Sequence, residues 1–479
     1  MRKVIKILAK VLSVIILLSI FLPVAVTLVL NIEDVQNVVV KRASQFASEY
    51  LGTKVSIDRI DIDLFSRVRV EGFYVEDHEQ DTLLYVSRAK AMIKSLNVPN
   101  DGLLIRWAEV EDGFFNLREL QDGDLNIRPI VRSLQKPNGK SNFRMVIDEI
   151  EASGLEFRYE RLQHRNPTYG IDYYDMQITD IEGEIKKFTV DRGRVWCDIT
   201  RLKARERSGF EISNIATYFS VDIGEIYFEN FVAETETSYI KVPELILKGV
   251  DWEDYKEYID KVNMSGRVEN SVISTYDLGF FAPGLKDWNT NASEIDATFD
   301  GTVRDLEGEV LHAVIAHESL ARGKFRIVGL PDWRKSKYVV GIENLYTTNN
   351  DIEELLGNIL KNPLPQRVND IIRNMEWVNA RATFGGYLDA FRATGNIATQ
   401  AGNISADVTI SRAPNKRYDL KGTVRSIDLD LGELLNLSAI HRIDSDITVN
   451  GSVGNADTGG VIGDVDVAIS GAEVGRYRY

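Results

Sequence analysis

The chain has 479 residues, a formal net charge of -15 and a pI near 5.0. That length exceeds what one hydrophobic core usually fills, so it predicts two to four structural units or one long repetitive one. The acidic balance excludes nucleic acid as a partner, because a phosphate-binding surface needs clustered Lys and Arg, and none occurs beyond residue 10. Cys197 is the only cysteine, which excludes an internal disulfide and a cysteine-based zinc site. It reads as a small buried residue in the strand VWCDI.

Residues 1–10, MRKVIKILAK, form a basic segment ahead of an uncharged run of 20 residues from Val11 to Leu30. Such a run is long enough to cross a hydrocarbon core of about 30 Å as a helix. Basic residues before it and Glu33 and Asp34 after it place the N-terminus in the cytoplasm and the body across the membrane. A cleaved signal peptide is the competing reading. Its apolar core is ordinarily shorter, and no A-x-A-like site follows Leu30. Residues 31–52 then carry apolar side chains at helical spacing and end at Gly52, which predicts an amphipathic helix packed against the strands that follow.

From Val55 onward the pattern is alternation. KVSIDRIDIDLFSRVRVEGFYVED (54–77) places Val55 and Ile57 on one parity, Ile60, Ile62, Leu64, Val68 and Val70 on the other, and Phe73 and Val75 on the first again. The parity changes predict bulges or turns near Asp58-Arg59 and Gly72. Turn dipeptides at Asp101-Gly102, Asp112-Gly113, Asp122-Gly123, Asn138-Gly139, Asp300-Gly301 and Asn450-Gly451 predict tight hairpins, hence a largely antiparallel meander. Near Asp277, Asp351 and Asp430 an acidic residue and an apolar helical turn follow a strand. The interval of about 75 residues suggests a repeated unit of hairpins plus a short helix. Further helices are expected over 251–262 and 365–375.

Motifs for chemistry are scarce. His312 and His317 are five apart, which on a strand puts them on opposite faces and argues against a shared metal. Neither H-E-x-x-H nor G-x-S-x-G occurs. LQKPNGKS lacks the first glycine of a phosphate-binding loop, and GGVIGD lacks dinucleotide spacing. Asp61 and Asp63 read as the wet face of a strand rather than as an acid and base pair. No enzyme activity, cofactor or metal is expected.

The order of features, with EDVQNVVVKRASQFASEYLGTKVSIDRIDIDLFSRVRVEGFYVEDHEQDTLLYVSRAKAMI, GFFNLRELQDGDLNI, RERSGFEISNIATYFS, ETETSYIKVPELIL and VISTYDLGFFAP, resembles the N-terminal part of the TamB branch of AsmA-like proteins. The resemblance covers most of the chain and is densest over 1–120. It implies a single-pass inner-membrane protein with a periplasmic body, mainly β: a long antiparallel sheet curled into an open groove with short helical interruptions. It implies a role in outer-membrane biogenesis, through phospholipid carriage along an apolar face and cooperation with an outer-membrane assembly barrel of the BamA/TamA type. On that reading 53–265 is the membrane-proximal β region and 266–479 a repeated groove region, shorter than in the family and expected to be truncated. Ile60, Ile62, Leu64, Val68 and Val70 become candidate groove-lining residues, and phospholipid acyl chains the cargo. Two other classes stay open: a membrane-tethered β-solenoid with a closed core, and a periplasmic enzyme without a recognised motif.

Overall fold

The computed structural model describes residues 33–63, 67–97, 102–129, 144–162, 167–191, 194–222, 224–251, 254–359, 366–413, 417–453 and 461–479. The run from Val11 to Leu30, Leu64, Asp101, Asn138-Gly139 and LQKPNGKS lie outside these residues. Among the described residues no helix is long and apolar enough to cross a membrane. The described chain is mainly β, with 24 strands and a few short helices, and divides into two compact units. One runs to Asp222 and takes in Ala233–Glu236; the other comprises Ile223–Val232 and Thr237–Tyr479.

In the first unit a helix, α1 (Glu33–Leu51), precedes β1 (Val55–Ser56), β2 (Arg59–Asp63), β3 (Arg67–Glu76), β4 (Thr82–Asn97) and β5 (Gly102–Arg118). β6 (Arg144–Glu160), β7 (Asp175–Asp191), β8 (Arg194–Glu206), β9 (Glu211–Ile212) and β10 (Asn214–Asp222) follow. β1 and β2 both pair with β3, and the rest pair with their sequence neighbours except that β10 pairs with β8 beside β9. All these ladders are antiparallel but one: β5 and β6, separated by 25 residues of sequence, run parallel. Gly52, at φ +68, ends α1 as expected, its N–H bonded to the Ser48 carbonyl.

α1 guards a sheet edge. The Ser48 hydroxyl donates to the Val55 carbonyl at 3.2 Å and accepts the Val55 N–H at 2.9 Å, filling polar groups that β1 leaves unpaired. Ala47 and Leu51 pack with Val55, Val75 and Leu83 in the unit's small core.

The second unit begins with β11 (Glu225–Glu234) and β12 (Tyr239–Lys248), then a 3₁₀ turn over Asp254–Glu257 and a single-turn helix, α2 (Tyr258–Lys261), which is all that forms of the helix expected over 251–262. The order continues β13 (Asn263–Ser274), α3 (Thr275–Phe281), β14 (Asn291–Gly301), β15 (Asp305–Ile315), β16 (Ser319–Val328), β17 (Lys337–Thr348), α4 (Asn349–Ile359) and α5 (Gln366–Asn374). β18 (Trp377–Tyr387), β19 (Ala390–Thr399), β20 (Gly402–Arg412), β21 (Tyr418–Asp430), α6 (Leu431–Leu435), β22 (Ile440–Val453), β23 (Val461–Val474) and β24 (Tyr477–Arg478) complete it. From β12 to β24 each strand pairs antiparallel with the next. No described ladder joins the first and last strands of either unit, so neither sheet closes.

The predicted helices at 277, 351 and 430 recur after every fourth strand, at one end of the second unit's sheet. Each is tied to the preceding hairpin turn. Asp277 accepts the Thr237 and Ser238 hydroxyls at 2.7 and 2.6 Å. The Asp351 carboxylate accepts the N–H groups of His317 and Glu318 and the Ser319 hydroxyl, at 3.3, 2.9 and 2.7 Å. Asp430 caps α6 through the Glu433 N–H, and its own N–H reaches the Ala401 carbonyl.

Two turn predictions fail. Asp112-Gly113 lies inside β5 and Asn450-Gly451 inside β22. At the first, Asp112 adopts φ +52 within a continuing strand, so the dipeptide marks an irregularity rather than a reversal. Asp122-Gly123 does sit at a turn, whereas Asp300-Gly301 forms the end of β14, directly before the turn at 302–304.

Candidate functional site

The register aligns apolar residues into rows that cross the second unit's sheet without a charged member. One row runs Leu245, Gly266, Phe299, Gly308, Phe325, Val340, Phe384, Ala393, Val408, Gly422, Val449 and Val465, from β12 to β23. Two residues along each strand on one side lies a second row, which starts at Val268 and passes through Ile342, Ala406 and Ile447 to Val467. On the other side lies a third, from Leu247 through Ile327, Phe391 and Leu420 to Gly463. Side chains two apart share a face, so the three rows form one strip. At strand spacings of about 4.8 Å it runs roughly 50 Å across the sheet and is about 14 Å wide.

Every position in these rows from β12 to β22 is half-buried, and none is fully buried. On β23, Val465 and Val467 are 60% and 56% exposed. A packed interior would bury such residues nearly completely. Glycines set the strip's relief: a Cβ on Gly308 would lie 2.6 Å from the Phe325 ring and 2.4 Å from the Thr298 carbonyl, so the ring lies flat against backbone only because no side chain stands there.

The first unit has matching rows. Ile60, Val70, Ala89, Val110, Ala152, Gly183 and Leu202 align from β2 to β8, and beside them Ile62, Val68, Ala91, Ala108, Ile150, Ile185 and Ile199. Four of the five residues singled out from the sequence, Ile60, Ile62, Val68 and Val70, thus share one face as cross-strand pairs. Ile60 is buried and the other three half-buried. The longer strip between residues 245 and 467 was missed; its signal was small residues alternating with charged and hydroxyl ones, as in RATFGGY and DLKGTVRS.

No family model, curated protein or solved structure matches this chain.

On the opposite face of the first unit, charges alternate in sign. Arg88 reaches Glu111 at 2.6 Å, while Lys90 reaches Glu109 at 2.9 Å and Glu111 at 3.0 Å. Hydrogen bonds from Lys90, with Glu109 and Arg88 beside them, hold the Glu111 carboxyl down to about 2, and Glu109 and Glu111 raise Lys90. The paired charges of Glu111 and Lys90 make this a face that favours water. Asp61 belongs to it, but its carboxylate is only 15% exposed, because Gln36 of α1 donates to it at 3.0 Å and Arg59 pairs with it. The expectation of an open, wet Asp61 is corrected to that extent: the edge helix shelters it.

Polar clusters elsewhere stabilise turns. Asp77, in the β3–β4 turn, accepts the N–H groups of Glu79 and Asp81, both at 2.9 Å, and bonds from Arg118 and Asn126. Burial pushes its carboxyl up, but the Asp81 N–H, Asn126 and Arg118 outweigh this and leave it below the usual range. The same balance, led by burial and overturned by the Glu318 N–H, Ser319 and His317, leaves Asp351 low. His317 lies 3.2 Å from Asp351 and 3.4 Å from Glu354, whereas His312 faces Glu294. Ser319 donates to Asp351 rather than to His317, so the trio lacks the relay of a nucleophilic site. Among the described residues no group of His, Cys, Asp or Glu has the arrangement to hold a metal ion. A hollow of about 850 Å³ lies over β18–β22, lined by Arg381, Thr383, Asn396, Asp407, Arg425 and Thr448 among others. Its lining also takes in Ile342, Ala382, Gly395, Ala406 and Ile447 of the second row, so the hollow borders the strip and is mixed in polarity. Cys197 is buried in β8 as expected, and burial pushes its thiol up to about 11.

Proposed function

We propose that this protein is a membrane-tethered carrier of lipid acyl chains, its apolar sheet face forming the wall of a curled, open groove. On this reading Val11–Leu30 anchors the chain in the inner membrane, the β body stands in the periplasm, and phospholipid moves along the strip in the service of outer-membrane biogenesis. An outer-membrane assembly barrel is the partner at the far end. The observation that carries the reading is the strip itself: three uncharged rows across about a dozen strands, half-buried from β12 to β22, more open on β23, and fully buried at no described position. An exposed apolar surface of that extent is unusual on a soluble monomer and marks a contact surface. A strip lacking fixed polar partners also suits a ligand that slides, because each methylene leaving one position regains at the next the same contact, about half of the roughly 0.8 kcal/mol of full burial. The half-burial favours an open face over a closed dry core, and the turn-stabilising role of the polar clusters favours carriage over catalysis.

The test is photo-crosslinking in native membranes. Reactive residues at Ile62 and Val449, on the apolar rows, are expected to give phospholipid adducts; those at Arg69 and Thr448, on the other face, are not. Equal adduct yields on both faces would remove the basis of the proposal.

A further inference from the structure

The outward face of α1 joins an apolar pair to a basic pair. Val38 and Phe46 are 60% and 70% exposed, and Lys41 and Arg42 stand exposed between them on the same side of the helix, with Gln45 and, nearer its C-terminal end, Glu49 exposed alongside. The opposite side is committed to the protein through Ala47, Leu51 and Gln36, and Ser48, two turns after Lys41, ties that flank of the helix to Val55. The helix begins at Glu33, three residues after the uncharged run ends at Leu30, so its 19 residues stay within about 40 Å of that run's end.

We propose that this face of α1 rests on the surface of an anionic phospholipid bilayer, with Val38 and Phe46 entering the headgroup boundary and Lys41 and Arg42 meeting lipid phosphates. The proposal rests on the tether part of the functional reading, not on lipid carriage. Apolar side chains flanked by basic ones are what an interfacial helix needs, since burial and attraction to anionic lipid act together. The contact also has a structural consequence. Because α1 closes the edge at β1 and lies beside β2, a docked helix holds the first apolar rows, at Ile60 and Ile62, next to the bilayer.

The experiment uses the full chain with Cys197→Ser, reconstituted in vesicles of phosphatidylcholine with or without phosphatidylglycerol. Spin labels are placed at Val38→Cys, Phe46→Cys and, as an aqueous control, Thr409→Cys. With phosphatidylglycerol, labels at 38 and 46 should collide more with oxygen and less with a water-soluble nickel chelate than the label at 409. Lys41→Glu should reduce the docked fraction relative to the undocked by about fivefold or more in those vesicles, and little in pure phosphatidylcholine. Labels at 38 and 46 as open to nickel as the control, in protein that resists carbonate extraction, overturn the contact alone. Release of the full chain by carbonate overturns the tether and the contact together, while strip adducts report separately on carriage.

Discussion

Placing one carboxylate in the middle of the strip tests whether an apolar occupant lies there. Val408, half-buried in β20, pairs with Ala393 on one side and Gly422 on the other, at the centre of the uncharged rows. In Val408→Glu an acyl chain must withdraw the methylenes directly over the new charge, because the neighbouring positions in the three rows are uncharged and Arg412, four residues along on that face, is paired with Asp389. A methylene touching the strip on one side gains about half of the roughly 0.8 kcal/mol of full burial. Losing about four such contacts costs on the order of 1.6 kcal/mol, a weakening of about fifteenfold. Thr409→Glu, one residue on, puts the same charge on the exposed polar face, and its lipid affinity should match the wild type. Both variants keep every backbone ladder, so melting curves serve as the folding control. The assay is titration of the purified protein with a fluorescent phospholipid below its aggregation concentration. Equal affinities in Val408→Glu and Thr409→Glu, with both folded, would refute the reasoning.

The remaining expectations concern the anchor, the turns and the cysteine. Full-length protein should stay with membranes through carbonate extraction, whereas deletion of residues 11–30 should release it; release of the intact chain contradicts the anchor. Asp351→Ala leaves the Glu318 N–H and Ser319 hydroxyl without their buried acceptor, at about 1–3 kcal/mol each, so hydrogen exchange over 316–320 and α4 should accelerate by at least tenfold. Asp77 and Asp351 are both depressed from an ordinary value of 3.8, so the stability they contribute is complete above that pH and is lost as pH falls through their lower folded values. Urea midpoints should therefore decline on acidification below about pH 4, and less steeply in Asp351→Asn; an unchanged slope there contradicts the assignment. The Cys197 thiol, pushed up to about 11 and buried, should resist alkylation at pH 8 until the protein is unfolded.

Much of this fold was legible because alternation is a direct imprint of a sheet with unlike faces. The β-rich body, the helix before Val55, the turns of α3, α4 and α6, and the shared face of Ile60, Ile62, Val68 and Val70 all follow from spacing alone. What was not legible came from pairing. Nothing local in VWCDI or in GRVENSVIS says which strand lies beside it, so the rows that make up the strip appear only once register is known. The parallel β5–β6 pair was hidden for the same reason. Asp112-Gly113 misled because a residue that accepts positive φ serves an irregularity within a strand as readily as a hairpin, and Asn450-Gly451 because the dipeptide also fits an unbroken ladder without positive φ. Asp61 was misread as open because its shelter comes from Gln36, 25 positions earlier in the chain.

The parity changes first seen at Asp58 and Gly72 have a collective explanation. A single slip in one strand would turn the rest of its apolar residues onto the wet face. Here the slips line up across the sheet. Left-handed residues occur at Gly72 in β3, Asp112 in β5, Gly154 in β6 and Asp180 in β7, and pairing resumes beyond them with Phe73, Val86, Gly113 and Leu155 in register. Since neighbouring strands change parity at the same level, the apolar side stays apolar on both sides of the crease. Carboxylates stand against the left-handed residues of adjacent strands. A Cβ on Gly154 would lie 2.4 Å from Asp112 Oδ1, and in the second unit the N–H groups of Asn270 and Asp428, both at positive φ, donate to Asp296 and Asp444 at 3.0 and 2.6 Å. The crease is thus encoded by an Asp on one strand and a Gly, Asn or Asp on the next, a pairing that alternation alone does not reveal. Gly154→Ala tests it: the φ of +64 and the Asp112 contact together should cost more than about 1 kcal/mol, and a fully stable variant would mean that the crease follows the strands rather than shaping them.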